Sequence, residues 1–226
     1  MAEIPEFRKY DRYKAGSYRS YNFKMPERYD TCFWMKFCQI PLWDQTIVQD
    51  LSPIIPTHRI VDVGCATGRL LECLARAGAK NLFDIDLAPR ILEKAHKRMS
   101  YLGVSAELWT ADAEDRLPWD DDFFDAATLT GVLHHFFRPR DAISEIRRVL
   151  RPGGRLLVID PCFFPPVRQV LNMVLRVVPH DGDYHFYSTR RAEQLLVDLG
   201  FDVRRTRRIG LWAYLVHTMV PNDVTS

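Results

Sequence analysis

The 226-residue chain has no CxxC pair, no long apolar run and no marked excess of either charge, and each absence removes a class of function. Five cysteines (Cys32, Cys38, Cys65, Cys73 and Cys162) are scattered and odd in number, which argues for reduced thiols over a disulfide framework or a zinc site. No window approaches about 18 uninterrupted apolar residues, so no transmembrane helix is expected. The N-terminal stretch MAEIPEFRKYDRYK is charged and lacks an apolar centre, so no signal peptide is expected and the cytoplasm is the expected location. With 31 Lys and Arg against 29 Asp and Glu, the net charge of +2 makes no case of its own for nucleic acid or an acidic membrane. Internal repeats and low-complexity tracts are also absent. The length fits one domain with additions, large enough to bury a real core.

What is present after residue 58 is an alternation of strand and helix patterns, which points to an α/β fold with a mostly parallel sheet. Strands are expected at 60–63, 81–86, 106–110, 124–130 and 155–160, with helices between them. One helix places Leu70, Leu74 and Ala77 on a buried face. The next starts at Pro89 and turns Ile91, Ala95, Met99 and Leu102 inward. A third buries Ile143, Ile146, Val149 and Leu150 and stops at Pro152-Gly153-Gly154. A last helix follows Ser188-Thr189, and strands 201–208 and 211–219 form an antiparallel pair. The whole chain, 1–226, reads as one domain, with an N-terminal helical extension or lid (1–57), a core (58–160), an apolar cap insertion (161–187) and a final helix with two strands (188–226). The extension holds Tyr10, Tyr13, Tyr18 and Tyr21 among basic residues, then Trp43, Ile47 and Leu51 at helical spacing.

The stretch RIVDVGCATGRLLECLARAG (59–78) runs a buried strand through a glycine turn into a helix, so backbone N–H groups and a positive dipole end face whatever binds above it. The nicotinamide-dinucleotide fingerprint G-x-G-x-x-G needs glycines where Ala66 and Arg69 stand, and the triphosphate loop G-x-x-x-x-G-K-[ST] is absent. Asp86 ends the second strand, where a carboxylate accepts hydrogen bonds from both hydroxyls of a ribose. Asp112 follows the third, where it accepts from the exocyclic amine of adenine. Asp62 is placed to meet an amine on the ligand's tail. A nucleoside with an amino-acid tail is S-adenosylmethionine (SAM).

The sequence resembles the class I SAM-dependent methyltransferases, in particular the small-molecule branch that includes the ubiquinone/menaquinone-biosynthesis type. VDVGCATG is similar to the family's first motif and DIDLAPRILEKA to its second-strand motif. TADAEDRLPWDDDFFDAATLTGVLHHF is similar to the motifs of strands three and four, and RVLRPGGRLLVID to the entry into strand five. The likeness covers 58–160 in unbroken order and 188–219 less sharply. It departs at Ala66, where glycine is common. The resemblance implies a Rossmann-like seven-stranded sheet of order 3-2-1-4-5-7-6, strand seven antiparallel, with helices on both faces. It also implies that Gly64, Ala66 and Gly68 approach the methionine part of SAM. Asp86 would hold the ribose, Leu87 pack on the adenine, and Asp112 with the Ala113 backbone read the adenine edge. Thr130 would lie beside the sulfonium. S-adenosylhomocysteine (SAH) would be the product.

Methyl transfer from a sulfonium needs orientation and a dry pocket, and a general base only where the nucleophile holds its proton tightly. His134 and His135 are the candidates for that base, with capping or packing against the cofactor as the alternative. HDGDYHFY (180–187) clusters His and Asp irregularly around Gly182, which reads as a substrate-lining loop rather than a metal site, so no metal is expected. FFPPVRQVLNMVLRVV reads as a cap over an apolar acceptor site or as ordinary core. Arg204, Arg205, Arg207 and Arg208 fit a charged edge strand, or an RNA-binding strip. The expected function is methyl transfer to an O, N or C atom of a small, partly apolar molecule. RNA methylation is the rival, followed by non-enzymatic SAM binding.

Overall fold

The computed structural model describes residues 12–31, 40–177 and 182–222. Tyr10, Cys32, Cys38, His180 and Asp181 lie outside the described residues. Seven strands, β1 (Arg59–Val63), β2 (Asn81–Asp86), β3 (Ala106–Thr110), β4 (Phe124–Thr130), β5 (Leu150–Pro161), β6 (Asp202–Ile209) and β7 (Ala213–Met219), form one sheet of order β3-β2-β1-β4-β5-β7-β6. β1 to β5 are mutually parallel, and β7 runs antiparallel to both its neighbours. The order reverses between β1 and β4, which leaves a crevice at the carboxyl ends of these strands.

The helices are α1 (Arg12–Arg19), α2 (Ile40–Leu51), α3 (Arg69–Arg76), α4 (Pro89–Leu102), α5 (Pro139–Val149), α6 (Pro165–Val177) and α7 (Thr189–Asp198). Strand side chains alternate between two cores, one on each face of the sheet. Ile60, Leu157, Ile159 and Leu215 face α2, α3 and α4 with Ile47, Leu51, Leu70, Leu74 and Met99. Val61, Val63, Leu156, Val158, Tyr214 and Val216 face α5 and α7 with Ile143, Ile146 and Leu196. The i, i+4 spacing of Trp43, Ile47 and Leu51 thus lays α2 on the sheet, and full burial of each such side chain contributes roughly 1.5–3 kcal/mol. Pro89 and Pro139 open α4 and α5 at a position where the missing N–H costs nothing, and the Ser188 hydroxyl caps α7 by accepting from Arg191 N at 3.3 Å.

Two local expectations are corrected. Ala77 is exposed at the end of α3, and Leu71 is buried beside Leu70 and Leu74 instead. The chain leaves the helical path at Val149 rather than at Pro152, so β5 spans 150–161 and Leu150, though buried, is a strand residue paired with Phe124. Among the described residues no helix is long and apolar enough to cross a membrane.

Candidate active site

A cavity of about 720 Å³, its open mouth included, lies at the carboxyl ends of β1, β2, β3 and β4. Gly64, Ala66, Asp86, Leu87, Asp112, Ala113 and His135 line it, so the glycine turn, the two strand-end aspartates and one histidine converge on a single space. Asp62, Gly68, Thr130 and His134 are not among the lining residues.

The turn is held by Asp86. Its Oδ2 accepts from Ala66 N at 3.0 Å and its Oδ1 from Ala88 N at 2.9 Å. Each carboxylate oxygen keeps a lone pair for a ligand hydroxyl. Burial raises the Asp86 carboxyl to about 6, against the pull of those two N–H groups. Gly64 has φ +80°, and a Cβ there would meet Val132 Cγ2 at 2.6 Å, so no side chain fits between turn and cavity wall. Ala66, the departure from the family's glycine, also has a left-handed φ of +50°. An L-residue there costs on the order of 1 kcal/mol, a strain that the Asp86 bond to its N–H offsets.

Beneath the turn sits a buried acidic layer. Thr128 Oγ1 donates to Asp62 Oδ1 at 2.7 Å, and burial raises Asp62 to about 7. Asp84 is fully buried, accepts from the Cys65 thiol, and is pushed well up by burial and by the neighbouring Asp62. Asp44, on α2, is raised to about 6 by burial although Arg69 lies 3.5 Å away. Arg69, which breaks the dinucleotide fingerprint, therefore begins α3 as a cation for Asp44. A positively charged ligand above this layer favours the ionised form of these raised carboxyls, whereas a phosphate would push them further up, so a cation fits there better. The Thr130 hydroxyl oxygen, also buried, has no hydrogen-bond partner. An orphaned acceptor at the end of β4 and a cradle that a Cβ would fill are features that the amino-acid end of SAM satisfies.

The segment 12–31 closes one side of the cavity, and Lys14, Ser17, Tyr18, Tyr21 and Tyr29 join the lining. Lys14, only 8 % exposed as a residue, bonds Asp112 Oδ2 through its ammonium, which lies 3.4 Å from Glu114 Oε2. Tyr21 Oη stands 3.2 Å from His135 Nε2. Asn22 Oδ1 accepts from Arg90 N at 2.9 Å, and Thr67 Oγ1 donates to Asp30 Oδ1 at 2.7 Å. Glu114 accepts from Phe137 N and Arg138 N and so fixes the chain beyond the histidines. Sequence reasoning missed Lys14, Glu114 and Gly131 as cavity residues; the tyrosine-rich, basic character of the N-terminus was the available signal for the first.

The two histidines differ. His134 Nδ1 is 2.9 Å from Asp160 Oδ1 and its Nε2 is 3.5 Å from Asp183 Oδ1. Burial opposes charge on His134, but these carboxylates outweigh it and raise the group to about 10. Burial and the His134 charge lower His135 to about 4, against the pull of Asp183. The cavity is thus faced by a neutral imidazole backed by an imidazolium. His134, His135 and Asp183 bring one donor atom each within 4.8 Å of one another, a set that could hold a metal ion; Asp183 Oδ1 lies 3.5 Å from both His134 Nε2 and His135 Nδ1. Beyond the histidines Phe186 stacks on His134 at 5.1 Å, Tyr184 packs on Phe137 at 4.8 Å, and Asn172 of α6 bonds both N and O of Phe186. On β6, the sheet's edge strand, Arg207 and Arg205 reach Asp50 at 2.7 and 3.9 Å and Arg204 reaches Asp202 at 3.6 Å, the arrangement of a charged edge.

Residues 61–158 match the family model described as a methyltransferase domain. The chain is 32 % identical over 198 residues to the ubiquinone/menaquinone biosynthesis C-methyltransferase UbiE of Roseobacter denitrificans, a match covering 78 % of this chain and 79 % of that relative. It is 36 % identical over 128 residues to the demethylmenaquinone methyltransferase of Clavibacter sepedonicus, covering 56 % of this chain and spanning about half, 49 %, of that relative. Among solved structures, the geranyl diphosphate C-methyltransferase from Streptomyces coelicolor A3(2), in complex with Mg2+, geranyl diphosphate and SAH, is similar with a TM-score of 0.69 at 16 % identity, covering 80 % of this chain and 79 % of that one. At that identity the likeness speaks for the fold.

Proposed function

Because the chain belongs to the class I SAM-dependent methyltransferases, in their ubiquinone/menaquinone-biosynthesis branch, we propose that it transfers the methyl group of SAM to a carbon of a small, partly apolar acceptor bound beside His135. The observation that carries the reading is the cavity at the carboxyl ends of β1 to β4, with Asp86 and Asp112 in its wall and the orphaned Thr130 hydroxyl at the end of β4. Carbon is preferred over oxygen or nitrogen because relatives of this chain are named as C-methyltransferases. Bound there, SAM would supply an activated methyl group: the S–C bond electrons stay on sulfur, leaving SAH, and the acceptor carbon that gains the methyl releases its proton to water.

The chain's own residues then bind, orient and exclude water. Asp86 accepts from the ribose hydroxyls and Leu87 covers the adenine face. Asp112 accepts the adenine amine in place of the Lys14 ammonium that it now holds. Thr130 and the acidic layer of Asp62 and Asp84 favour the cationic end of the ligand. Tyr18, Tyr21 and Phe136 dry the methyl-transfer region, where orientation and exclusion of water provide most of the rate. His135 orients the acceptor through its ring edge, held by Tyr21. Segment 12–31 acts as the lid, and a cytoplasmic setting agrees with the free thiols of Cys65, Cys73 and Cys162.

The test is transfer of label from methyl-labelled SAM into a source-matched cell extract, followed by partition of the products. Label in the organic or small-molecule phase supports the reading and yields the acceptor for identification. Label in a nuclease-sensitive precipitate would replace it with RNA methylation.

A further inference from the structure

The described surface carries an apolar face that the methyltransferase reading does not use. On α6 the outward positions Val170, Met173 and Val174 follow i, i+3, i+4 spacing and are 55, 63 and 46 % exposed, while Leu175 is buried and Asn172 grips Phe186 on the inward side. An amphipathic helix on a sheet normally presents its polar side to water. Here the apolar side faces out. The face continues into the β6–β7 turn, where Leu211 and Trp212 are 73 and 41 % exposed. Cys162 N donates to Trp212 O at 2.6 Å and the Phe163 ring lies 6.3 Å from that of Trp212, so the chain entering α6 and the turn are neighbours.

The charge around this face has one sign. Residues 161–177 and 203–222, from which it is drawn, contain no Asp or Glu. Arg168 holds Phe163 O at 3.1 Å and Arg208 holds Leu211 O at 3.1 Å, so both cations sit at its rim; among the described residues neither has a carboxylate partner. Aliphatic side chains, a tryptophan and a rim of arginines without acids match the boundary between headgroups and acyl chains, where indoles settle and anionic headgroups attract arginine.

We propose that the face formed by α6 and the β6–β7 turn docks on an anionic lipid bilayer, with Leu211 and Met173 entering the acyl boundary and Arg168 and Arg208 meeting headgroup phosphates. Docking there turns the acceptor side toward the bilayer, because α6 also holds the Phe186 that stacks on His134. That a bilayer-dissolved acceptor is delivered in this way rests on the proposed function; the docking itself does not.

The experiment is co-sedimentation of the full chain with phosphatidylcholine vesicles, with and without phosphatidylglycerol. Binding is expected only with the anionic lipid and is expected to weaken with salt. The variants Leu211→Glu and Met173→Glu should each lower the partition coefficient by about tenfold, and Arg168→Ala or Arg208→Ala by about fivefold. Tyr101→Glu, at a 92 % exposed aromatic on α4, should leave binding unchanged. SAH binding by each variant checks its folding and separates failure of docking from failure of the cofactor site. Wild-type chain left in the supernatant with anionic vesicles would overturn the proposal. So would light scattering that shows a dimer which Leu211→Glu dissociates.

Discussion

Asp62 is buried, bonded by a single hydroxyl and raised from 3.8 to about 7, so its folded carboxyl holds a proton that the unfolded chain has released near neutrality. A group raised in this way contributes stability that is complete below the unfolded value and lost as pH rises through the folded one. Asp62→Asn is therefore expected to stabilise the ligand-free chain by on the order of a few kcal/mol at pH 8 and hardly at all at pH 4, measured by urea unfolding at the two pH values. A gain of equal size at both would remove the burial argument. His135, lowered to about 4, is a weak base at neutral pH, which agrees with the orienting role proposed for it. His135→Gln should keep turnover within about tenfold of the native rate with SAH affinity intact, whereas a loss beyond about a hundredfold would make it the general base. At this scale the sequence was legible where a residue's place follows from a strand end: spacing from the glycine turn was enough to bring Asp86 and Asp112 together at the cavity wall. Lys14 was not legible as the partner of Asp112, because 98 residues separate them and no local pattern links the two.

Among elements, the strands were read closely because short apolar runs and flanking glycines mark them locally, and 81–86, 106–110 and 124–130 coincide with the observed bounds. The start of β5 was misread because Val149 and Leu150 continue the helical spacing of Ile143 and Ile146 while the backbone has already become extended. Hydrophobic spacing cannot tell a helix's last turn from a buried strand's first residue. The N-terminal segment was expected as a helical extension or lid, and Lys14, Ser17 and Tyr18 of α1 line the cavity. Lys14 occupies the carboxylate that the adenine amine would use. Lys14→Met is expected to tighten SAH binding a few-fold in titration calorimetry, since the competing cation is gone. Weaker binding would mean instead that the ammonium contributes to holding the cofactor.

For the molecule as a whole, the α/β class followed from the alternation of patterns, whereas the strand order rested on family resemblance, because local periodicity does not say which strands pair. The cofactor half occupies one run of chain, 58–160, and could be read in order. The acceptor side proposed above draws on segment 12–31, residues 134–137, α6 and 182–187, stretches distant in sequence whose contacts, such as Phe186 with His134 and Asn172, form only in the folded chain. A ligand that binds only the folded state at about 100 times its dissociation constant adds about 2.7 kcal/mol. For a chain of this size that amounts to a rise in melting temperature of roughly 5–10 °C, expected with SAH and not with NADH. The reverse pattern would return the glycine turn to the dinucleotide enzymes.

The bond from Arg90 N to Asn22 Oδ1 makes the segment over the cavity also the cap of α4, whose Ala88 offers no side-chain cap. Each excursion of that segment leaves an amide at the helix start bare to water, so the Arg90 amide proton should exchange with deuterium at the frequency of opening. Its exchange rate then serves as a clock for access to the cavity, readable without any acceptor, and SAH should slow it if the cofactor and the segment hold each other in place.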